Sequence, residues 1–318
     1  MSADAIQVKA QSPTRGVAAT KDIRKAFSSP WASIFIIALT VLWTLPTVGL
    51  FVTSLRPAKD VANSGWWTIV THPHFTLSNY HEVLFNGGSG QSGGLLPYVV
   101  NSLAITIPAT LITLAIACMA AYGLAWVRFK GSDVVFFAVF ALQVVPLQMS
   151  LIPLLRFYNL GVHIGSVPIF PALHLGGTYY PVWVSHTMFG LPLAVFLMHN
   201  FISQLPGDMM EAARVDGANH FRIFRQIVLP LSTPAIAAFA IFQFLWVWND
   251  LLVALTFAGG TPKVLPLTGR LEQLVGQYGA NWQLLTAGAF IALIIPLIVF
   301  FALQRYFVRG LLAGSVKG

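Results

Sequence analysis

Long windows without any charged residue dominate this sequence, and the longest runs from Arg156 to Asp208. A helix of about 20 apolar residues crosses the hydrocarbon core of a bilayer, and windows of this length recur along the chain. Only 9% of the residues are charged and the mean hydropathy is +0.74, whereas a soluble domain carries about 25% charged residues. The sequence therefore predicts an all-α polytopic membrane protein and excludes a soluble enzyme or a nucleic-acid-binding protein.

The charge-free windows predict six transmembrane helices. Gly and Pro residues interrupt the first part of the longest window, so the fourth helix is placed after them. The predicted spans are Ser33–Val52, Tyr98–Val127, the segment between Asp133 and Arg156, Pro181–Ser203, Pro234–Ala258 and Leu284–Val308. Residues 1–30 form a polar tail that precedes the six-helix domain of residues 31–318. The first apolar run lacks a small-residue cleavage site, which favours an uncleaved helix over a signal peptide.

The distribution of Lys and Arg predicts the orientation of the chain in a prokaryotic cytoplasmic membrane. With both termini in the cytoplasm, 13 of the 18 Lys and Arg residues fall on the inner side and the remaining 5 on the outer side. Cytoplasmic loops carry such an excess of positive charge in membrane proteins. We therefore expect both termini to be cytoplasmic and read the basic character as a topology signal, with no nucleic-acid partner.

A polar segment of residues 205–231 separates the fourth and fifth predicted spans and predicts a helix–turn–helix at the inner membrane surface. Asp208 and Glu211 have the spacing of a capping box, which predicts a helix over Met209–Val215. Asp216-Gly217 would end it in a tight turn. A second helix would then run to Pro230, with one apolar face made of Phe221, Phe224, Ile227 and Val228. From composition alone, this could be an interfacial amphipathic hairpin that stiffens the bundle.

The same segment contains a spaced motif: Glu-Ala-Ala, three residues, Gly, nine residues, then Ile-x-Leu-Pro. The residues that match it are Glu211, Ala212, Ala213, Gly217, Ile227, Leu229 and Pro230. This resembles the EAA loop of the permease subunits of ABC importers. From about Trp31 to Gly318 the chain is similar to the permeases that import oligosaccharides, and within them to the maltose permeases. The segment Phe242–Ala254 resembles the α-glucoside and glucosylglycerol branch, whereas the stretch His163–Pro181 departs from the family.

The resemblance implies a transport subunit that is not itself an enzyme. The sequence lacks a G-x-x-x-x-G-K-[ST] phosphate-binding loop, so ATP and Mg would be bound by a partner dimer of ATPase subunits. The other implied partners are a second, different six-helix permease chain, an extracytoplasmic sugar-binding protein and membrane lipid. The residues expected to couple the chain to the ATPase are Glu211, Ala212, Ala213, Asp216, Gly217, Ala218, Phe224 and Leu229.

Asp250 is the one acidic residue inside a predicted span, and ionisable residues in spans usually face a cavity or a partner. Aromatic, amide and carboxylate side chains close to it predict a sugar translocation path. The residues of this candidate path are Gln243, Trp246, Asn249 and Asp250. The alternative is that Trp246 and Trp248 form an interfacial aromatic belt with Asp250 at headgroup depth. No metal site and no catalytic residue is predicted, because the His residues lack accompanying acidic or Cys ligands.

Two other function classes remain open from the residues. An ion-coupled secondary transporter needs charged coupling residues within broken helices, of which Asp250 is the one candidate. A membrane-embedded enzyme needs a paired acid and base or a metal set, which the spans do not supply. The outer segment Gly259–Gln283 contains several glycines and is expected to form a mobile loop.

Overall fold

A computed structural model describes residues 30–86, 93–127, 129–277 and 281–315, without the side chains of residues 275–277 and 306–315. The predicted polar tail of residues 1–30 therefore lies almost entirely outside the described residues. The described chain is mostly helical. Its helices and strands are α1 Pro30–Ser54, α2 Ala58–Asn63, α3 Ser78–His81, α4 Leu96–Val127, α5 Ser132–Val144, α6 Leu147–Leu160, β1 Val162–Ile164, β2 Val167–Phe170, α7 Tyr180–Ile202, α8 Gly207–Val215, α9 His220–Leu231, α10 Thr233–Asn249, α11 Leu252–Ala258, α12 Leu267–Gln277 and α13 Trp282–Ser315.

Four of the described helices are long and apolar enough to cross a bilayer by themselves, namely α1, α4, α7 and α13. Two further candidates are bent pairs: α5 and α6 meet at 101°, and α9 and α10 meet at 72°. The described chain thus has four candidate spans, or six if each bent pair is one span. The predicted number of six is the upper of these two values.

The bend between α5 and α6 has a local cause at Pro146. Val145 and Pro146 both have extended backbone, with ψ of 118° and 127°. A proline lacks the N–H that would continue the helix, and its ring disfavours helical backbone at the preceding residue. The third predicted span is therefore broken at its centre, which the charge-free window did not show.

The fifth predicted span, Pro234–Ala258, is also interrupted. Helix α10 ends at Asn249, Asp250 has an extended backbone with ψ of 138°, and α11 begins at Leu252. The Asp250 carboxylate accepts a hydrogen bond from the Ala254 N–H at 3.1 Å. Because the first N–H groups of a helix have no intrahelical acceptor, this contact satisfies one of them at the start of α11.

The all-α prediction needs one correction, since β1 and β2 form a short antiparallel hairpin on the segment that departs from the family. Its register pairs His163 with Pro168 and Ile164 with Val167. Proline and glycine prevent this segment from forming a helix, so its backbone groups pair with each other. The hairpin begins at Gly161, whose φ of 69° and ψ of −160° belong to a region that is essentially restricted to glycine.

Helix α4 lies at the centre of the bundle and packs along α7 and α10, while α1 contacts mainly α13. The contact between α4 and α7 uses small side chains, including the fully buried Ala117, Ala121 and Ala194. Small residues let two helix backbones approach closely in a membrane, where dispersion contacts drive helix association. Helix α1, in contrast, buries only Gly49 and Ser54 among its residues.

The described part of the segment Gly259–Gln283, where the glycines favoured a loop, contains α12. Leu265, Leu267 and Leu274 of this segment are buried against the bundle. The Asn101 side-chain amide of α4 donates to the carbonyls of Pro262 and Leu265 at 3.2 and 2.9 Å. The segment is thus held on the N-terminal end of α4.

We expect Gly161→Ala to destabilise the protein more than the matched control Gly165→Ala. Both glycines have positive φ, so either substitution strains the backbone by about 1–3 kcal/mol. A Cβ at position 161 would also clash with the backbone of Phe170 and Pro171, whereas a Cβ at position 165 meets nothing within 4 Å. Apparent melting temperatures of the detergent-solubilised variants test this. Equal shifts in melting temperature would mean that the close backbone approach at Gly161 does not affect stability.

Candidate functional site

The polar segment between α7 and α10 folds into two helices joined by a tight turn. Helix α8 ends at Val215, Gly217 has a φ of 80°, and the Ala218 N–H donates to the Ala213 carbonyl at 2.9 Å. This positive φ confirms the predicted turn at Gly217. The predicted capping box is wrong, because α8 begins at Gly207 after Pro206 and has no side-chain cap.

The start of the second helix has a cap that sequence reasoning missed. The Asn219 side-chain oxygen accepts the Arg222 N–H at 2.9 Å and so satisfies an unpaired donor in the first turn of α9. Asn is among the preferred residues at this position. The sequence thus contained a cap signal at Asn219, two residues after the turn glycine Gly217.

The eight residues expected to couple this segment to a partner divide into two sets of four. Those of the first set pack against a buried cluster formed by the ends of α4 and α7, and they are Ala213, Ala218, Phe224 and Leu229. Those of the second set are exposed on the surface of the segment, and they are Glu211, Ala212, Asp216 and Gly217. The first set therefore attaches the segment to the bundle, and the second set is accessible on its surface.

The apolar face of the second helix is narrower than predicted. Phe224 and Ile227 are partly buried and Val228 is fully buried, but Phe221 is 70% exposed. Val215, at the end of α8, is 87% exposed. Phe221 and Val215 are thus two exposed apolar side chains of this segment, and the pair is named the 215/221 knob below.

Contacts to α4 fix the segment in place. The Tyr122 hydroxyl and His220 Nδ1 are 2.9 Å apart, and the Tyr122 ring lies 5.3 Å from that of Phe224. The Trp126 indole N–H donates to the Ile202 carbonyl at the end of α7 at 3.0 Å. These aromatic residues at the C-terminal end of α4 were not identified from the sequence, because nothing in the local pattern separates them from other apolar residues of a span.

A cavity of about 610 Å³ lies at the bend between α5 and α6. The bend exposes residues of both half-helices, and α7 and α10 close the opposite side. Its aromatic wall contains Phe189 and Trp246, and its polar side chains include Gln143 and Ser150. This volume lies within the range of ordinary small-molecule sites, about 300–1,000 Å³.

The four candidate path residues do not meet in this cavity. Trp246 lines it, whereas Gln243 is 0% exposed between α7 and α10 and Asn249 is exposed and donates to the Leu245 carbonyl of its own helix. Asp250 caps α11, and its Oδ2 lies 3.5 Å from Nε2 of the buried His186. Sequence reasoning missed His186, because a lone histidine in an apolar window has no partner within its own helix.

Trp248 does not belong to an interfacial belt. It is 3% exposed and its indole N–H donates to the Ala292 carbonyl of α13 at 3.1 Å. Its ring stacks on that of Phe244, with the centroids 5.8 Å apart. Trp248 therefore joins α10 to α13 inside the bundle.

Comparison with solved structures shows the fold. A bacterial ABC transporter that imports the acidic polysaccharide alginate aligns with a TM-score of 0.67 at 18% identity, covering 93% of this chain and 99% of the other. The same type of transporter in complex with a periplasmic protein bound to alginate pentasaccharide aligns with a TM-score of 0.60. At such low identity the likeness extends to the fold alone.

Curated relatives are much more similar in sequence. The osmoprotective compounds uptake permease protein GgtD of Synechocystis sp. is 52% identical over 89% of this chain and 91% of its own length. The α-glucoside transport system permease protein AglG of Rhizobium meliloti is 55% identical over 80% of this chain and 63% of that protein. The arabinooligosaccharides transport system permease protein AraQ of Bacillus subtilis is 32% identical over 90% and 95%.

A family model described as a binding-protein-dependent transport system inner membrane component matches residues 113–312. The match begins in the middle of α4 and ends in α13, so it contains the polar segment, the cavity and His186. It confirms the resemblance drawn from the Glu-Ala-Ala motif. The chain belongs to the binding-protein-dependent inner membrane transport components and is an ABC permease subunit rather than an enzyme.

Proposed function

We propose that this chain is one permease subunit of an ATP-driven importer for a neutral sugar, an α-glucoside such as maltose, trehalose or glucosylglycerol. An extracytoplasmic binding protein delivers the sugar. The identity of 55% to an α-glucoside permease carries the substrate class, and family membership supports the dependence on a binding protein. No similar relative or family model supports the alternative, an ion-coupled secondary transporter.

The exposed half of the polar segment is the proposed contact with the ATPase. Glu211 and Asp216 carry negative charge on this surface, Arg214 and Arg222 carry positive charge, and the 215/221 knob adds two exposed apolar side chains. Such a surface is complementary to an apolar groove on the ATPase whose rim carries charges of both signs. The packed half, with Phe224 against Tyr122, would transmit movement of the groove to α4.

The complete pore needs a second permease chain. The cavity at the α5–α6 bend has exposed apolar residues on its rim, such as Val144 at 83% and Met149 at 69% exposure. We propose that a different permease chain covers this side, with six spans in each chain and both termini cytoplasmic. The sugar path in this half would pass Trp246, and Gln243, Asn249 and Asp250 follow it on or beside α10. ATP and Mg would be bound by the ATPase dimer.

Membrane vesicles that contain the chain with its permease partner, ATPase and binding protein should take up radiolabelled maltose or another α-glucoside only when ATP is inside. In the proposed mechanism, ATP hydrolysis supplies the free energy for accumulation. Vesicles loaded with ADP are the control. Accumulation driven by a proton gradient without ATP would contradict the importer proposal.

Gly217→Val should reduce uptake about tenfold, whereas Gly217→Asn should remain close to wild type. A Cβ at this position meets nothing within 4 Å, so the cost is backbone strain at a φ of 80° and not a clash. Asn tolerates this conformation and a β-branched residue does not. Strain of about 1.4 kcal/mol on the docked orientation of α8 corresponds to a tenfold loss. Co-purification of the ATPase and uptake are measured together; wild-type values for both variants would mean that the turn does not couple.

Phe221→Ala and Phe224→Ala separate docking from packing. Phe221 is 70% exposed, so its truncation should leave the melting temperature unchanged and weaken co-purification with the ATPase. Phe224 packs against the inner core, and its truncation should destabilise the chain by about 2 kcal/mol. If Phe221→Ala retains the ATPase at wild-type levels after a high-salt wash, the 215/221 knob is not the contact.

A further inference from the structure

A compact polar cluster lies between α7 and α10, beside the cavity. His186 of α7 is 1% exposed and Gln243 of α10 is 0% exposed. The Gln243 side-chain amide approaches the His186 carbonyl at 3.5 Å, and Asp250 Oδ2 lies 3.5 Å from His186 Nε2. Three polar side chains therefore adjoin one another where α7 and α10 pack, and we call them the seam cluster.

The seam cluster is poorly satisfied in this conformation. Three of its buried atoms have no hydrogen-bond partner among the described residues. They are the two ring nitrogens of His186 and the side-chain oxygen of Gln243. The contacts at 3.5 Å are at the limit of hydrogen-bond length. Each buried polar group without a partner costs about 1–3 kcal/mol, so a purely structural cluster would be expected to satisfy these atoms internally.

The two helices are almost in contact over the seam cluster. Gly190 of α7 faces Gln243, and a Cβ at Gly190 would lie 2.6 Å from the Gln243 side-chain oxygen. Residues three and four apart share a face of a helix. Phe189 therefore lies near the His186 face of α7, Trp246 lies on the Gln243 face of α10, and both line the cavity. The two helices are therefore in close contact at the seam cluster and line an open space at the cavity.

We propose that the seam cluster is a hydroxyl-binding subsite of the sugar path, exposed when α7 and α10 separate during transport. This inference rests on the proposed import function. In the separated state His186, Gln243 and Asp250 exchange hydrogen bonds with sugar hydroxyls while a sugar face lies against the Trp246 ring. The missing partners in the closed seam are then the hydroxyl groups of the substrate.

The chemistry of the seam selects a neutral polyhydroxylated ligand. A hydroxyl group both donates and accepts, as do an imidazole and an amide, and the Asp250 carboxylate accepts. Neither residues 157–213 nor residues 226–262 contain a Lys or Arg. An acidic sugar would find no cation on α7 or α10 and would meet the Asp250 charge, so these two helices disfavour it.

The test uses Gln243→Met in the complete transporter, with ATPase, partner permease and binding protein, in proteoliposomes. Met retains the approximate length of Gln and removes both hydrogen-bonding atoms. With radiolabelled maltose as the probe, uptake should fall about tenfold, the equivalent of about 1.4 kcal/mol. Co-purification of the ATPase and the partner permease should stay at the wild-type level, since the α8 contact is untouched. Ser232→Ala is the matched control, because Ser232 Oγ is also buried without a partner but lies at the inner start of α10.

Monodeoxy analogues of maltose that saturate the binding protein provide the second measurement. Wild type should import at least one analogue about tenfold more slowly than maltose, and Gln243→Met should discriminate less, because the partner of the missing hydroxyl is already gone. If Gln243→Met does not assemble, His186→Asn is measured in the same way. Unchanged uptake and unchanged discrimination in a variant that assembles would overturn the subsite alone. A wild-type transporter that imports no α-glucoside would overturn the proposed function and the subsite with it.

Discussion

The structure depends on one constraint: backbone N–H and C=O groups inside a bilayer have no water to bond and must be satisfied within the protein. Each interruption of a helix is therefore accompanied by a local solution. Where α10 stops, Asp250 accepts the Ala254 N–H, and Thr268 donates its hydroxyl to the Asp250 carbonyl at 2.9 Å. Where α6 stops at Gly161, the two strands of the hairpin pair with each other. The first of these interruptions also contains Asp250, one of the candidate path residues.

Breaking a span creates space that a continuous helix would fill. The bend after Val145 turns α6 away from α5 by 101° and leaves the cavity of about 610 Å³ against α7 and α10. Irregular backbone at membrane depth is tolerated where it is buried in protein or lines a cavity. The same physical exception therefore explains both the unusual shape of the third and fifth predicted spans and the position of Trp246 at their meeting point.

A second feature joins the polar segment to this region. Small residues bring α4 and α7 into close contact. The C-terminal end of α4 contacts the polar segment through Tyr122 and the end of α7 through Trp126. Close-packed helices move as units, because interiors at crystal-like density deform little. A displacement of the segment that contains Phe224 would therefore reach α7, and with it His186 and Gly190, without any flexible connection in between.

Regular parts of the fold could be predicted because they depend on local pattern. The fourth span was expected at Pro181–Ser203 and is found at Tyr180–Ile202, and the turn at Gly217 has the positive φ that a tight turn requires. The errors occur where local rules compete. A capping box was predicted at Asp208, but the helix begins after Pro206 without a side-chain cap. Phe221 was assigned to a packed face, but its side chain is 70% exposed.

By itself, the sequence determined the membrane class, the approximate spans, the motif of the polar segment and the absence of a phosphate-binding loop, since each follows from composition or from spacing along one element. Only the tertiary structure decided which half of the motif is exposed, where the third and fifth spans break, and that His186 lies beside Gln243 and Asp250. His186 and Asp250 are separated by more than 60 positions in the chain. Such a contact depends on how two helices pack against each other, and helix packing is not encoded in the periodicity of either helix alone.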